Sequence, residues 1–252
     1  MEKVLIIGDS CEDIFRYGKC VRLCPEAPVP IFNPTTHIKN GGMAMNLYNN
    51  LKALGIQCDI ITNLIKPLKI RYVDEVSNQI LLRVDETDAI EPILKKQLEM
   101  INFSKYTAVI ISDYNKGYLS EEDIEFITNN QSLVFIDTKK KFGDWLLNVQ
   151  IIKVNAVEFN ANRDWLYDTK FKGNLIVTSG KGGAILNFEK VFEIEKEHPV
   201  RDLSGAGDTF LAGLVVKYLE KNNIEEAIRF ANKCASWVVT QKGVVAIDPT
   251  QI

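Results

Sequence analysis

The chain reads as a three-layer α/β/α fold, a central and mostly parallel sheet with helices on both faces and a small β lid. Three observations predict it. From Pro92 onward, helical and strand-like segments alternate. The strand-like segments are short unbroken apolar runs, Val4–Ile7 and Ala108–Ile111 among them, as expected of strands buried on both faces. Two early stretches, at about 14–36 and 66–86, read instead as extended, charged lid segments. With 252 residues and 46% apolar composition, the chain can bury one sizeable core, so 1–252 is expected to form a single domain carrying that lid.

Composition excludes several classes. No apolar run approaches the roughly 18 residues of a membrane span. Net charge is −3 with no basic stripe, which argues against nucleic acid as a partner. The five cysteines are odd in number and lack C-x-x-C pairs, and the first residues carry no signal-peptide pattern, so a reducing cytoplasm is expected. His37 and His198 stand apart from any cysteine cluster, so no structural zinc is expected.

Lys3 to Gly8 is the first buried strand, entering Gly8-Asp9 at its carboxyl edge, where ligands gather in such sheets. Arg22 to Pro30 holds Pro25, Pro28 and Pro30, which forbid a helix and suit edge strands or an extended arm. Met45, Leu47, Leu51 and Leu54 recur at helical spacing and stop at Gly55. Cys58–Thr62 is a short buried strand. Lys69–Val73 and Gln79–Val84 read as two strands around a polar turn.

In the alternating half, a helix is expected from Pro92 to Ile101, then the strand Ala108–Ile111, a helix Glu121–Thr128, and the strand Leu133–Ile136 ending at Asp137. The strand Ile151–Val154 leads into Asn155 and Glu158, which share one helix face and also form the letters of a capping pair. Leu175–Thr178 is a further strand, followed by Ser179-Gly180-Lys181-Gly182-Gly183. Val191 to Val200 reads as strand-like, and Ala227–Val239 as the last long helix.

Between these last two lies Arg201-Asp202-Leu203-Ser204-Gly205-Ala206-Gly207-Asp208-Thr209-Phe210, opening a helix in which Phe210, Leu214 and Tyr218 recur. Gly205, Ala206 and Gly207 bring unpaired amides and the positive end of the helix dipole to one place, a seat for a phosphate. Asp208 on its rim is placed to take a proton from an attacking hydroxyl. From the residues alone, G-A-G-D serves equally as an ordinary helix start, since an acidic residue in the first turn contributes about 0.3–1 kcal/mol to any helix. Other glycine-rich readings fail on spacing. A dinucleotide fingerprint needs Gly where Phe210 stands, and the Lys181 turn lacks the Ser or Thr of a P-loop.

Asp202-x-x-Gly205-Ala206-Gly207-Asp208 resembles the second signature of the ribokinase-like, or PfkB, sugar kinases. Gly41-Gly42-Met43-Ala44-Met45-Asn46 resembles the first. Arg22 with Pro25-Glu26-Ala27-Pro28-Val29-Pro30, and Ser112-Asp113-Tyr114-Asn115-Lys116-Gly117, are similar to the narrower group of heptose 7-phosphate kinases. The resemblance implies a ribokinase-like fold and ATP-dependent transfer to a sugar hydroxyl, with magnesium arriving on the nucleotide. It also implies a homodimer joined through lid strands.

It distributes roles as follows. Asp9 and Asp13 lie four apart past the first strand; the residues alone suit either two-point hydroxyl binding or loop capping, and the resemblance favours the former for Asp13. Gly41, Gly42 and Asn46 are expected on the sugar, though the residues alone also suit a plain turn before a helix. Lys69, Arg71 and Arg83 suit a sugar phosphate, though they read equally as solvated strand charges. Asp113 sits at a strand's carboxyl end, where a substrate group is expected. Asn155 and Glu158 match the family's N-x-x-E motif and suit ordering water around a metal–phosphate complex. The resemblance puts Thr178, Gly180 and Gly183 beside the nucleotide phosphates and ribose, Asn232 beside the base, and Asp202 at a monovalent cation such as K+. A helix–strand module of roughly 40 residues that the family usually carries after Asn63 is missing. The expected reaction is phosphorylation of C1 of D-glycero-D-manno-heptose 7-phosphate. A kinase for another sugar and a non-catalytic binding relative are the alternatives.

Overall fold

The computed structural model describes residues 2–86, 90–168, 170–195 and 199–252. The chain runs β1 (Lys3–Gly8), β2 (Glu12–Leu23), β3 (Pro30–Asn40), α1 (Gly42–Ala53), β4 (Gln57–Thr62), β5 (Leu68–Asp74), β6 (Ile80–Glu86), α2 (Lys95–Glu99), β7 (Ala108–Asp113), α3 (Glu121–Asn130), β8 (Val134–Thr138), β9 (Ile151–Asn155), α4 (Ala156–Ala161), α5 (Arg163–Asp168), β10 (Asn174–Thr178), β11 (Ala184–Leu186), β12 (Lys190–Phe192), α6 (Ala206–Lys221) and α7 (Ile224–Val238). Eight strands form the main sheet in the order β12-β11-β10-β9-β8-β7-β1-β4, parallel from β10 to β4, with β11 and β12 antiparallel at one edge. The other four form the lid sheet, β3-β2-β5-β6.

The period of two along β1 assembles the layers. Val4 and Ile6 pack with α1, α6 and α7 on one face, through Leu47, Leu51, Leu211 and Leu214. Leu5 and Ile7 face the other way, into Val109, Ile124, Ile127 and Trp145. Each such fully buried aliphatic side chain contributes about 1.5–3 kcal/mol. With both faces covered, the carboxyl ends of β1, β7, β8 and β9 are left as the open edge. The lid joins that edge through β2, which starts at Glu12 directly beyond β1.

Two expectations are corrected. The helix foreseen from Pro92 to Ile101 is only Lys95–Glu99: Ile90 and Ile93 donate their amides to Lys116 O and Tyr118 O, both at 2.9 Å, which holds that stretch extended. The strand foreseen over Val191–Val200 is limited to Lys190–Phe192, and residues 196–198, His198 included, lie outside the described residues. After β4 the chain turns into the lid, which leaves β4 as an edge of the main sheet. Leu64 is 97% exposed there. The five cysteines are free thiols, and among the described residues no helix is long and apolar enough to cross a membrane.

Candidate active site

The first turn of α6 stands between two cavities. Gly205 caps the helix with φ 78°, and a Cβ there would come within 2.6 Å of Asn46 Nδ2, so glycine is required both for the left-handed backbone and for the approach of α1. Thr209 N closes on Gly205 O at 2.9 Å, and Ala206 N reaches Leu203 O at 3.3 Å. The amides of Gly207 and Asp208 find no backbone acceptor among the described residues. The free amides of the seat therefore lie toward the Asp208 end of Gly205–Gly207, since Ala206 is partly engaged.

Asp208 is 5% exposed. Its Oδ2 accepts from Asn46 Nδ2 at 2.9 Å and its Oδ1 from the Tyr114 hydroxyl at 2.9 Å. Burial pushes its pKa up to about 6, and Asp137 adds to the rise, against the lowering by Asn46 and Tyr114. Burial and the neighbouring Asp208 hold the Tyr114 hydroxyl far above its ordinary value, so it stays a donor. A buried carboxylate with its pKa raised in this way is a competent base near neutrality.

On one side of this turn, Asp208, Gly205, Asn46 and Gly42 share a cavity with lid residues Asp13, Lys69 and Arg71. Strand register explains the convergence: Asp13 on β2 is paired with Lys69 on β5, and Phe15 with Arg71, so alternate residues of both strands face the same way. Arg71 forms an ion pair with Asp13 and lies 4.8 Å over the Phe15 ring. Lys69 is 8% exposed, and among the described residues no hydrogen bond or ion pair engages its ammonium. Gly41 caps α1 beside this cavity, and its carbonyl accepts from Cys11 N at 3.1 Å.

On the other side lies a mostly apolar groove lined by Thr178, Gly180, Gly183, Gly207, Asn232 and Val239. Asn232 spends its side-chain NH2 on Phe192 O at 2.9 Å, leaving its carbonyl oxygen for a ligand. Ser236 also lines the groove, and its buried hydroxyl has no partner.

Several expected site residues stand elsewhere. Asp9 is fully buried behind the cavity, its Oδ2 accepting from Tyr114 N at 2.6 Å and Lys116 N at 3.3 Å. Burial and Asp113 push its pKa up to about 6. Asp113 accepts from Asn115 N at 3.0 Å and the Thr138 hydroxyl at 2.5 Å. Both carboxylates thus fold the Asp113–Lys116 loop rather than line the cavity. Arg83 forms a bidentate pair with Asp85, both bonds 2.7 Å, on β6 outside the cavity wall. Asn155 and Glu158 make the full capping box of α4, and Glu158 also pairs with Lys139, so they sit beside the groove and not on its wall. Asp202 accepts from Ser204 N at 2.8 Å.

Other site residues were missed by sequence reasoning. Tyr114 bonds to Asp208 across 94 positions of chain, and Lys139 Nζ lies 4.7 Å over its ring. Lys153, in the middle of β9, pairs with Asp137 at 2.5 Å, and its ammonium is 3.0 Å from where a Gly207 Cβ would stand. Burial alone would lower its pKa, but Asp137 outweighs that and pushes it up. A lone lysine inside the apolar run Ile151–Val154 was the available signal.

A family model described as "pfkB family carbohydrate kinase" matches residues 106–251. The chain is 32% identical to the bifunctional protein HldE of Helicobacter acinonychis over 299 positions, covering 96% of this chain and 64% of that protein. It is 30% identical to the protein of the same name from Sulfurimonas denitrificans, covering 99% and 63%. The chain thus spans just under two thirds of these curated relatives. Aligned length exceeds the residues covered, so the relatives carry segments this chain lacks. Among solved structures, phosphofructokinase-2 from Escherichia coli superposes with a TM-score of 0.75 at 14% identity, covering 98% of this chain and 96% of that one. The Methanocaldococcus jannaschii nucleoside kinase, an archaeal member of the ribokinase family, gives 0.69 at 18%, covering 100% and 95%. At such identities the likeness shows a ribokinase-like fold.

Proposed function

This chain belongs to the pfkB family of carbohydrate kinases, and we propose that the sugar it phosphorylates already carries a phosphate, with D-glycero-D-manno-heptose 7-phosphate as acceptor at C1, the 1,7-bisphosphate as product and ATP as donor. The observation that carries this reading is Lys69, buried in the cavity that also holds Asp208, whose ammonium acts on Asp13 and Asp85 through space but makes no hydrogen bond or ion pair among the described residues. An unpaired buried cation is costly, and a phosphate monoester answers it. The similarity of the Pro25–Pro30 and Ser112–Gly117 segments to heptose 7-phosphate kinases supports the choice of sugar.

In this reading Asp13 and Asn46 hold sugar hydroxyls, while Lys69 and Arg71 hold the phosphate. Asp208 withdraws the proton from the attacking hydroxyl, and the free amides at the start of α6 take up charge on the transferring group. Lys153, beneath Gly207, adds positive potential to the same seat. The apolar groove with Asn232 and Ser236 receives the base, and the Thr178–Gly183 turn the phosphates and ribose.

Among the described residues no group of three or more His, Cys, Asp or Glu side chains could hold a metal ion. The Glu158 carboxylate is already engaged by Lys139 and Asn155. A magnesium ion would therefore arrive on the nucleotide phosphates, and Asn155 and Glu158, beside the groove, are the residues that would order water around it. Bound there, it neutralises phosphate charge. Asp202, whose Oδ1 accepts from Ser204 N, is the residue that would hold a monovalent cation such as K+.

We also read the chain as cytoplasmic and as a homodimer joined through the lid sheet, which exposes Val21, Leu23, Ile80 and Leu82. Light scattering at twice 28.5 kDa supports the dimer, and at 28.5 kDa rejects it. ADP release from Mg-ATP with phosphorylated and unphosphorylated sugars tests the acceptor. The heptose 7-phosphate is expected to exceed unphosphorylated sugars in kcat/KM by about 100-fold or more. Equal use of unphosphorylated sugars overturns the assignment.

A further inference from the structure

Helix α1 opens on two consecutive residues with positive φ, Gly42 at 51° and Met43 at 44°, the latter with ψ −129°. That region is open to glycine and strained for any residue with a Cβ. At position 42 the chain supplies glycine, and space demands it, since a Cβ would lie 2.5 Å from Cys11 Sγ. At position 43 it keeps a long side chain in the same backbone region.

Met43 is buried, at 5% exposure, yet among the described residues it belongs to none of the three apolar clusters. It lines the cavity of Asp13, Asn46, Lys69, Arg71 and Asp208 instead. Those five present charge or hydrogen-bonding atoms, whereas Met43 presents an apolar thioether. A sugar hydroxyl turned toward any of the five finds a partner. One turned toward Met43 loses water and gains nothing.

We infer that Met43 is a specificity-determining residue of this kinase: its side chain forms an apolar wall that narrows the acceptor cavity and rejects sugars that would place bulk or a hydroxyl there, and the strained backbone at the start of α1 is what holds it in position. The inference rests on the reading of this cavity as the acceptor site.

Met43→Gly and Met43→Ala test it. With Mg-ATP and a panel of pentoses, hexoses, heptoses and their phosphates, both variants should lower the kcat/KM ratio between the preferred acceptor and bulkier ones by about tenfold or more, with the KM for ATP unchanged. Thermal melting adds an independent readout. At an ordinary helix position alanine outperforms glycine, but here Met43→Gly should melt above Met43→Ala, because only glycine relieves the positive φ. Acceptor ratios within twofold of wild type, or alanine melting above glycine, overturn the inference. Asp208→Asn is measured alongside. If it abolishes turnover while the Met43 variants rank acceptors as wild type does, this inference alone falls. If Asp208→Asn stays active, or if neither wild type nor Met43→Gly turns over any sugar, the reading of the cavity falls and takes the inference with it.

Discussion

Asn46 on α1 donates its side-chain amide to Asp208 Oδ2 on α6 at 2.9 Å, across 162 residues of chain. Its own carbonyl oxygen accepts from Asn50 Nδ2 at 3.1 Å, and Asn50 Oδ1 accepts from Ile247 N at 3.0 Å. The position of the carboxylate is therefore set from α1 and from the C-terminal segment as much as from its own helix. Asn46→Ala removes a bond that lowers the pKa of Asp208. The acidic limb of kcat/KM should move to higher pH, with kcat down by about tenfold, roughly the loss of one hydrogen bond to a charged group. A pH profile superimposable on wild type would show that Asn46 does not tune the base.

Lys69→Met should act on the acceptor alone. Losing a charge-assisted bond to a phosphate removes about 1.5–3 kcal/mol, or roughly 10- to 150-fold in kcat/KM for a phosphorylated acceptor, with the KM for ATP unchanged. Steady-state kinetics with each substrate varied in turn checks it. An equal loss for an unphosphorylated sugar would mean that Lys69 does not read a phosphate.

Lys153→Met leaves Asp137 as a buried charge without its partner and should destabilise the protein by about 3–5 kcal/mol. The double variant with Asp137→Leu should recover most of that loss, because it removes the stranded charge. Chemical denaturation of Lys153→Met, Asp137→Leu and the double variant measures the coupling. A double variant whose loss equals the sum of the two single losses would show the two residues to be energetically independent.

Asp208 lowers the stability of the fold it serves. Its pKa is about 6 in the folded chain against an ordinary 3.8, so between those values the folded state keeps a proton the unfolded state has lost. Stability from this group is intact below the unfolded value and falls as pH rises through that window, by about 3 kcal/mol once pH exceeds 6. Asp208→Asn removes the charge but sacrifices one of two accepted bonds, so a net gain of about 2 kcal/mol is expected at pH 8, shrinking toward pH 4. Melting curves at the two pH values would contradict this if the variant gained equally at both.

Legibility in the sequence followed local signals. β1, β7, β8, β9 and β10 announced themselves as apolar runs, and Gly205 to Asp208 as small residues before a periodic helix, because in each case the pattern and its cause lie within ten residues. Asp9, Asp13 and Asp113 are equally acidic letters past strand ends, and only register across the lid separates the one on the cavity wall from the two that clamp a loop. Tyr114 lies within the Ser112–Gly117 run, but its bond to Asp208 spans 94 positions, and Lys153 acts through a partner 16 positions away, so neither role could be read from local spacing. Met43 gives no signal of its own within Gly41–Asn46, because backbone strain leaves no trace in composition. The helix foreseen from Pro92 failed because two amides found carbonyls at Lys116 and Tyr118, which periodicity does not register.

If Asp208, poised between the two cavities, is the base for phosphoryl transfer, its loss must show in the rate and in the pH profile together. The most direct measurement is the pH dependence of kcat/KM for ADP formation, wild type against Asp208→Asn, with the ATP affinity of both measured by titration. An acidic limb near pH 6 is expected in the wild type, and a loss of about 10²–10⁴ in the variant, with ATP affinity held. Turnover within tenfold of wild type, on an unchanged acidic limb, would contradict that role.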